Sequence, residues 1–363
     1  MFKKLIFLWK KPCVVLISGK GHACAAEAVF QTLRAHFKVK KISGSSFPIA
    51  KSKDEILIFE NELERSENIK HLERFKFLIK NSSLPVLIVT HMGEIPAGRN
   101  FFSGEKKGVS LIREAAEVLP PRGYLVLNFD DEVVREIKDK NIAHSLTYGF
   151  QKGADFQVAD IHANFEGTNL KVIAEDNVVP FWIKSIFGKE QIYSVLTAIC
   201  AGTIKSINLV EISQSLKDYR SLPGKMRMIP GIKNSLILDD SESATILSMI
   251  EALEILGEIG EGRRKIAVLG DVVGAGQYTI EAHEAIGEKA TKNSDLLFAI
   301  GHRARFVARG AISKGMAEEN IFQFDTAEEG KIEVQKQMKK DDLILVDGSE
   351  EIKMEEVVKE IEK

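Results

Sequence analysis

The chain has 363 residues, 44% hydrophobic and 28% charged, enough apolar material for two globular cores and too balanced for disorder. Fifty basic against 52 acidic side chains leave a net charge of −2, with no electrostatic footprint for a nucleic acid, so DNA and RNA are excluded as partners. Three scattered cysteines, Cys13, Cys24 and Cys200, form neither a disulfide framework nor a zinc-ligand spacing, and a reducing cytoplasm is the expected setting.

The N-terminus, MFKKLIFLWKK, holds a five-residue apolar run between lysines. That is shorter than a signal peptide's apolar region and far short of a membrane span. No transmembrane segment is expected, and at most this stretch touches a membrane surface, making the protein cytoplasmic with a peripheral contact.

Short β-branched runs then alternate with helical stretches, the pattern of a parallel sheet covered by helices. Strands are expected at 13–18, 56–59, 86–90 and 124–128, with helices near 25–36, 68–79, 109–118 and 132–138. From 145 to 184 the segments LTYG, DFQVADI, HANFEG, NLKVIAE and VVPFWIK read as antiparallel strands appended to that sheet. A helix rich in small apolar residues follows at 190–204. The segment SLPGKMRMIPG carries two Pro-Gly breaks, a domain boundary near Pro223 that divides the chain into 1–222 and 223–363. Beyond it the alternation restarts through LILDD, KIAVLGD, DLLFAIG, NIFQFD and DLILVDG, with helices between them. The expected fold class is α/β: a P-loop-type doubly wound sheet followed by a Rossmann-like C-terminal domain.

The first chemical signal is VVLISGKGHACAAEAV, where a glycine-rich turn leads from strand to helix and offers backbone N–H groups to an anion. Gly19, Lys20, Gly21, His22 and Ala23 form this candidate phosphate turn. A working loop needs a lysine for the terminal phosphates and a hydroxyl for Mg²⁺, whereas His22 and Ala23 follow Gly21 and Lys20 falls one turn early. A tight strand-to-helix turn without a ligand is the plain alternative. The strand ILIF ends in Glu60, where a carboxylate would hold nucleotide-bound Mg²⁺; a solvated capping glutamate is its alternative. His91, at a strand end beside the cleft, is a candidate replacement acid or base. His283, in EAHEAIG, is a further candidate that also reads as a structural histidine. Trp182 and Phe181 read as packing, and ELERSEN as a solvated helix start.

Further motifs occur in order: VTHMGEIP, LNFDDE, TYG, ADFQVADI, LPGKMR, LDDS with SM downstream, VLGD, EAH, AIG and GS. In this order and spacing the chain resembles the Mur ligases, most of all their MurF-type branch, over residues 12–358. The resemblance implies the family's central ATP-binding and C-terminal domains, and ADP-forming amide ligation on a peptidoglycan precursor, with ATP and Mg²⁺ as cofactors. In that reaction ATP phosphorylates a carboxylate, and an amine attacks the acyl phosphate. The family's usual N-terminal domain, which binds the UDP end, is expected to be lacking, because the phosphate-loop strand begins at Cys13.

Carried over residue by residue, Glu60 matches the Mg²⁺ glutamate and Asp240 the aspartate that binds the nucleotide ribose. His22 stands at the phosphate-loop lysine, Ala23 at its hydroxyl residue, and Lys225 at the arginine of the G-R-M segment, keeping charge without a bidentate fork. Arg227 remains nearby. Gly98 or Arg99 occupies the catalytic histidine's place, and Ile112 that of the carbamylated lysine, with Lys106 and Lys107 just upstream. Glu190 and Ser194 replace a histidine and an asparagine. Glu242, Ser243 and Ile246 replace tyrosine, asparagine and proline, and Asp347, Gly348, Ser349 and Glu350 replace Lys-Gly-Ser-Arg.

Losing one preorganised donor or cation costs about 3 to 4 kcal/mol of transition-state stabilisation, and several such losses here fall on one phosphoryl group. Two readings therefore stand. One is an ATP-dependent ligase using Glu60, the Gly19–Gly21 turn and Asp240, with His91, His283 and Lys225 as the available catalytic candidates. The other is a catalytically inactive homologue, a scaffold that binds a partner such as an active cell-wall ligase or another envelope-assembly protein.

Overall fold

The computed structural model describes residues 2–42, 52–61, 63, 69–92, 106–138, 141–242, 244–273 and 279–363. A short helix, α1 (Phe2–Lys10), precedes β1 (Cys13–Ser18), whose six residues are all buried. Burial on both faces is why this parallel strand reads as an unbroken apolar run rather than an alternation. The turn after it starts α2 (His22–Arg34), and β2 (Val39–Ile42) and β3 (Ile56–Glu60) follow. Next come α3 (Ile69–Asn81), β4 (Pro85–Val89), α4 (Lys106–Glu117), β5 (Tyr124–Asn128) and the single turn α5 (Glu132–Arg135). Then β6 (His144–Gly149), β7 (Phe156–Asn164), β8 (Gly167–Ala174) and β9 (Asn177–Lys184) lead into α6 (Lys189–Ile204) and α7 (Leu209–Leu216).

These nine strands form one sheet in the order β2-β3-β1-β4-β5-β6-β7-β8-β9. The antiparallel appendage expected from residue 145 starts later than the alternation implied. β6 runs parallel to β5 and β7 parallel to β6, touching it only at Tyr148↔Phe156 and Gly149↔Gln157; β7, β8 and β9 alone are antiparallel. Alternation reports which face a side chain takes, not the direction of the neighbouring strand. β2 escaped the sequence reading because it is a four-residue edge strand with Lys40 and Lys41 exposed.

The second sheet begins inside the Pro-Gly segment that marks the domain boundary. β10 (Arg227–Pro230) pairs antiparallel with β11 (Leu236–Asp240) at the sheet edge, where a proline is tolerated. After it come α8 (Ile246–Ile259), β12 (Lys265–Gly270), α9 (Thr279–Asn293), β13 (Leu296–Ile300), α10 (Ala304–Ser313), β14 (Ile321–Phe324), α11 (Ala327–Gln337), β15 (Leu343–Asp347) and α12 (Glu355–Ile361). The order is β10-β11-β15-β12-β13-β14, parallel except for β10.

Each sheet has an apolar cluster on either face. In the first, α2 and α6 pack closely because small residues line both; a Cβ at Gly202 would press on Ile212 and on Thr32 of α2. Phe187, just after β9, is fully buried in the second sheet's cluster beside Met226, and so joins the two halves.

Candidate functional site

β1, β3 and β4 end side by side, and the first group of candidates lies on those ends. Gly19 (φ 109°) and Gly21 (φ 74°) both hold left-handed backbone that favours glycine. A Cβ at Gly19 would also collide with Thr90 Oγ1 and the His91 carbonyl, so the turn is drawn tightly against the chain leaving β4. Two hydrogen bonds seal it: Lys20 N donates to His91 O at 2.8 Å, and Thr90 Oγ1 donates to Lys20 O at 2.5 Å. His22 folds back as well, with its amide donating to Gly19 O at 3.3 Å and its ring Nδ1 3.0 Å from the same oxygen. Gly21 opens α2 with no side-chain cap, and Ala23 brings no hydroxyl. Lys20's amide is therefore not left for an anion, and His22 lies against Gly19 O.

Glu60 ends β3 opposite Ile17. Its Oε2 is buried without a hydrogen-bond partner, as is Oδ1 of the adjacent Asn61, whose Nδ2 lies 2.8 Å from His71 Nδ1. Burial pushes the Glu60 carboxyl above its ordinary range, with His22 and Lys41 pulling it back and Glu27 adding to the rise. A shielded carboxylate oxygen without a donor, such as Glu60 Oε2, fits a cation of the hard, oxygen-seeking kind. Among the described residues no three His, Cys, Asp or Glu side chains converge to hold a metal, so an ion at Glu60 would take most of its shell from elsewhere. For a triphosphate the fit fails at the turn itself, where His22 and Ala23 stand at the positions that, by the resemblance, hold the lysine and the hydroxyl.

His91 follows β4 and is nearly buried; its Nε2 is 3.6 Å from Glu190 Oε1, and its ring lies 6.3 Å from that of Tyr193. Tyr193 OH donates to Asp130 Oδ2 at 2.9 Å, and Asp130 also accepts from the amides of Phe150 and Gln151. This network positions the first turn of α6, where Glu190 sits with the favourable polarity of a carboxylate at a helix N-terminus.

Glu190 connects this side of the cleft to the second sheet, because its charge acts on both Asp240 and Asp347. These two aspartates stand in register at the carboxyl ends of β11 and β15. Asp240 Oδ1 accepts from Met226 N at 3.0 Å. Asp347 has no exposed surface, and neither of its oxygens accepts a hydrogen bond; the Gly348 amide is close enough only to soften the effect of burial. Burial, then Asp240's charge, drives Asp347 well above the ordinary carboxylate range; burial, then Glu190, does the same to Asp240 against the pull of Met226 N and Lys225. Lys225 Nζ donates to Glu242 O at 3.3 Å, and its carbonyl accepts from Gln191 Nε2 at 3.1 Å. By the resemblance, position 347 carries a lysine in the ligases; beside Asp240 this chain has a second carboxyl in place of a counter-ion.

The structure thus brings His91, Glu190, Lys225, Asp240 and Asp347 around the start of α6, with the turn and Glu60 on the far side of His91. His283 lies apart, fully buried on α9, where Val272 N donates to its Nε2 at 3.1 Å and its Nδ1 is 2.6 Å from Thr279 O. With both ring nitrogens engaged and burial lowering its pKa, it serves the packing of the second domain in neutral form. Ile112 is core, while Gly98, Arg99 and Ser243 lie outside the described residues. Two features escaped sequence reasoning: Glu190 as the link across the cleft, and Asp347 as Asp240's neighbour. The changed Lys-Gly-Ser-Arg segment flagged position 347, but only strand register gives it a partner.

Comparison with known proteins agrees with this architecture. Residues 113–202 match the Mur ligase middle domain, and residues 224–350 the Mur ligase glutamate ligase domain. UDP-N-acetylmuramoyl-tripeptide--D-alanyl-D-alanine ligase of Bacillus subtilis is 22% identical over 360 residues, covering 96% of this chain and 75% of that one. The structure of MurF from Thermotoga maritima in complex with ADP superposes with a TM-score of 0.77 at 19% identity, over 99% of this chain and 81% of that one. A MurF structure from Acinetobacter baumannii gives 0.78 at 16% identity, over 99% and 78%. At such identity the structures speak for the fold, while the sequence matches to both domains carry the family. The chain belongs to the Mur ligase family and carries its middle and C-terminal domains in a MurF-like fold.

Proposed function

We propose that this MurF-like chain serves peptidoglycan precursor assembly in the cytoplasm as the binding partner of an active cell-wall ligase, without phosphoryl transfer of its own. The closed phosphate turn carries this reading: Lys20's amide is bonded to His91 O, His22 is folded onto Gly19 O, and His22 and Ala23 replace the lysine and hydroxyl of the resemblance. The carboxyl pair Asp240 and Asp347 supports it, since position 347, by the resemblance a lysine in the ligases, offers an anionic substrate no cation. We further take the chain to divide into domains at 1–222 and 223–363.

A second reading is favoured by one observation, the buried, unpartnered Oε2 of Glu60. Under it the chain is an ADP-forming ligase adding an amino acid or dipeptide to a precursor. Glu60 would then hold Mg²⁺, the Gly19–Ala23 turn would lie against the ATP phosphates, Lys225 would offer its charge, and Asp240 would receive the ribose hydroxyls.

Calorimetric titration with a non-hydrolysable ATP analogue, with and without Mg²⁺, on the wild type and Glu60→Ala, separates the two. We expect no binding at millimolar nucleotide, and saturable binding when an active MurF is titrated instead. Micromolar, Mg²⁺-dependent nucleotide binding that disappears in Glu60→Ala would overturn the first reading in favour of the second.

A further inference from the structure

A surface remote from the cleft carries a separate inference. α1 has no acidic residue; Phe7 is fully buried against α3, its ring 6.0 Å from that of Phe77. Seating Phe7 inward turns Leu5 and Trp9, four residues apart on one helical face, to solvent, and they are 58% and 72% exposed. Trp9 and Leu5 thus form an apolar pair that adjoins a charged face.

What surrounds them is positive. Between α1 and α3 runs a groove of about 670 Å³ lined by Lys4, Lys70, His71, Lys76 and Lys80, with Phe77 at its floor and Glu73 its acidic member. Lys4 Nζ lies 5.0 Å over the Phe77 ring, and Lys10 Nζ 4.1 Å over that of Trp9. The two helices and Lys11 carry eight lysines and arginines against one glutamate, in a chain whose net charge is −2. Lys76 is partly neutralised by Glu114 of α4 at 2.9 Å and by Glu73 at 3.3 Å.

We propose that the α1–α3 face docks on an anionic lipid surface, with Leu5 and Trp9 entering the interface and the lysine groove receiving phosphate headgroups. An exposed apolar pair beside a basic face is the anatomy of an interfacial helix: the ring sits at headgroup level and the ammonium groups meet the negative leaflet. No helix among the described residues is long and apolar enough to cross a membrane, so this contact is peripheral. The inference is independent of either reading of the cleft.

Flotation of the full chain with phosphatidylcholine vesicles, with and without phosphatidylglycerol, tests it. We expect binding to the anionic vesicles alone, weakened by salt. The double variants Leu5→Ser with Trp9→Ser, and Lys70→Gln with Lys80→Gln, should each weaken binding by at least roughly tenfold. Both pairs are surface side chains, and unchanged thermal melting verifies that each variant is folded. In a Trp182→Phe background, Trp9 emission should shift to the blue on binding. Equal binding to neutral vesicles, or binding that survives both double variants, overturns the proposal. So does saturable binding of inorganic pyrophosphate without any vesicle binding, which would make the groove a site for soluble anions.

Discussion

Asp347 is walled off from water and looks across at Asp240, so its charge has neither solvent nor a donor to stabilise it. Its pKa is raised above the ordinary 3.8, and the fold therefore holds its proton more tightly than the unfolded chain does. The stability this contributes is complete below about pH 4 and is lost as pH rises through the folded value, with the pair titrating as a unit. Asp347→Asn should leave the melting temperature nearly unchanged at pH 4 and raise it increasingly toward pH 8. Thermal denaturation across that range checks this, and a pH-independent difference would refute it. At the same scale, His22 shows why identity alone misleads: the imidazole in the lysine position of a phosphate loop lies with its ring folded onto Gly19 O.

At the scale of elements, local signals were legible wherever one segment satisfied itself. β1, β11, β12, β13 and β15 are short apolar runs bounded by turns, and each is a buried parallel strand. α8 has its own start signal: Thr245 Oγ1 accepts from Ser248 N at 3.1 Å, while Ser248 Oγ accepts from Thr245 N at 2.8 Å, a reciprocal cap. Thr245→Ala should cost about 1 kcal/mol in urea denaturation, since the first turn of α8 would lose that partner. A change below experimental error would show that packing against the sheet alone holds this helix end. Elements that depend on neighbours were not legible. β2 is an edge strand of lysines, β10 emerges from a proline-glycine segment, and the parallel direction of β6 has no trace in its own residues.

In the whole molecule the two sheets meet through few but specific links. Phe187 belongs by sequence to the first half and by packing to the second, and Lys189 N donates to Glu251 Oε1 on α8 at 2.6 Å. Truncating a fully buried phenylalanine leaves a cavity that the surroundings only partly fill, so Phe187→Ala should cost about 3 to 5 kcal/mol. Denaturation monitored calorimetrically would detect it, together with weaker coupling between the halves. A cost under about 1 kcal/mol would mean that the junction is loosely packed. The sequence by itself determined the α/β class, most strands and the glycine turn after β1, because these follow from local periodicity and residue type, and through the resemblance it marked the positions that differ from an active ligase. Only the tertiary structure decided that Lys20's amide is bonded to His91 O, that Glu60 Oε2 lacks a donor, and that Asp347 faces Asp240. Each depends on which strands lie side by side and in what register, a choice made by the burial of whole faces rather than by any one segment.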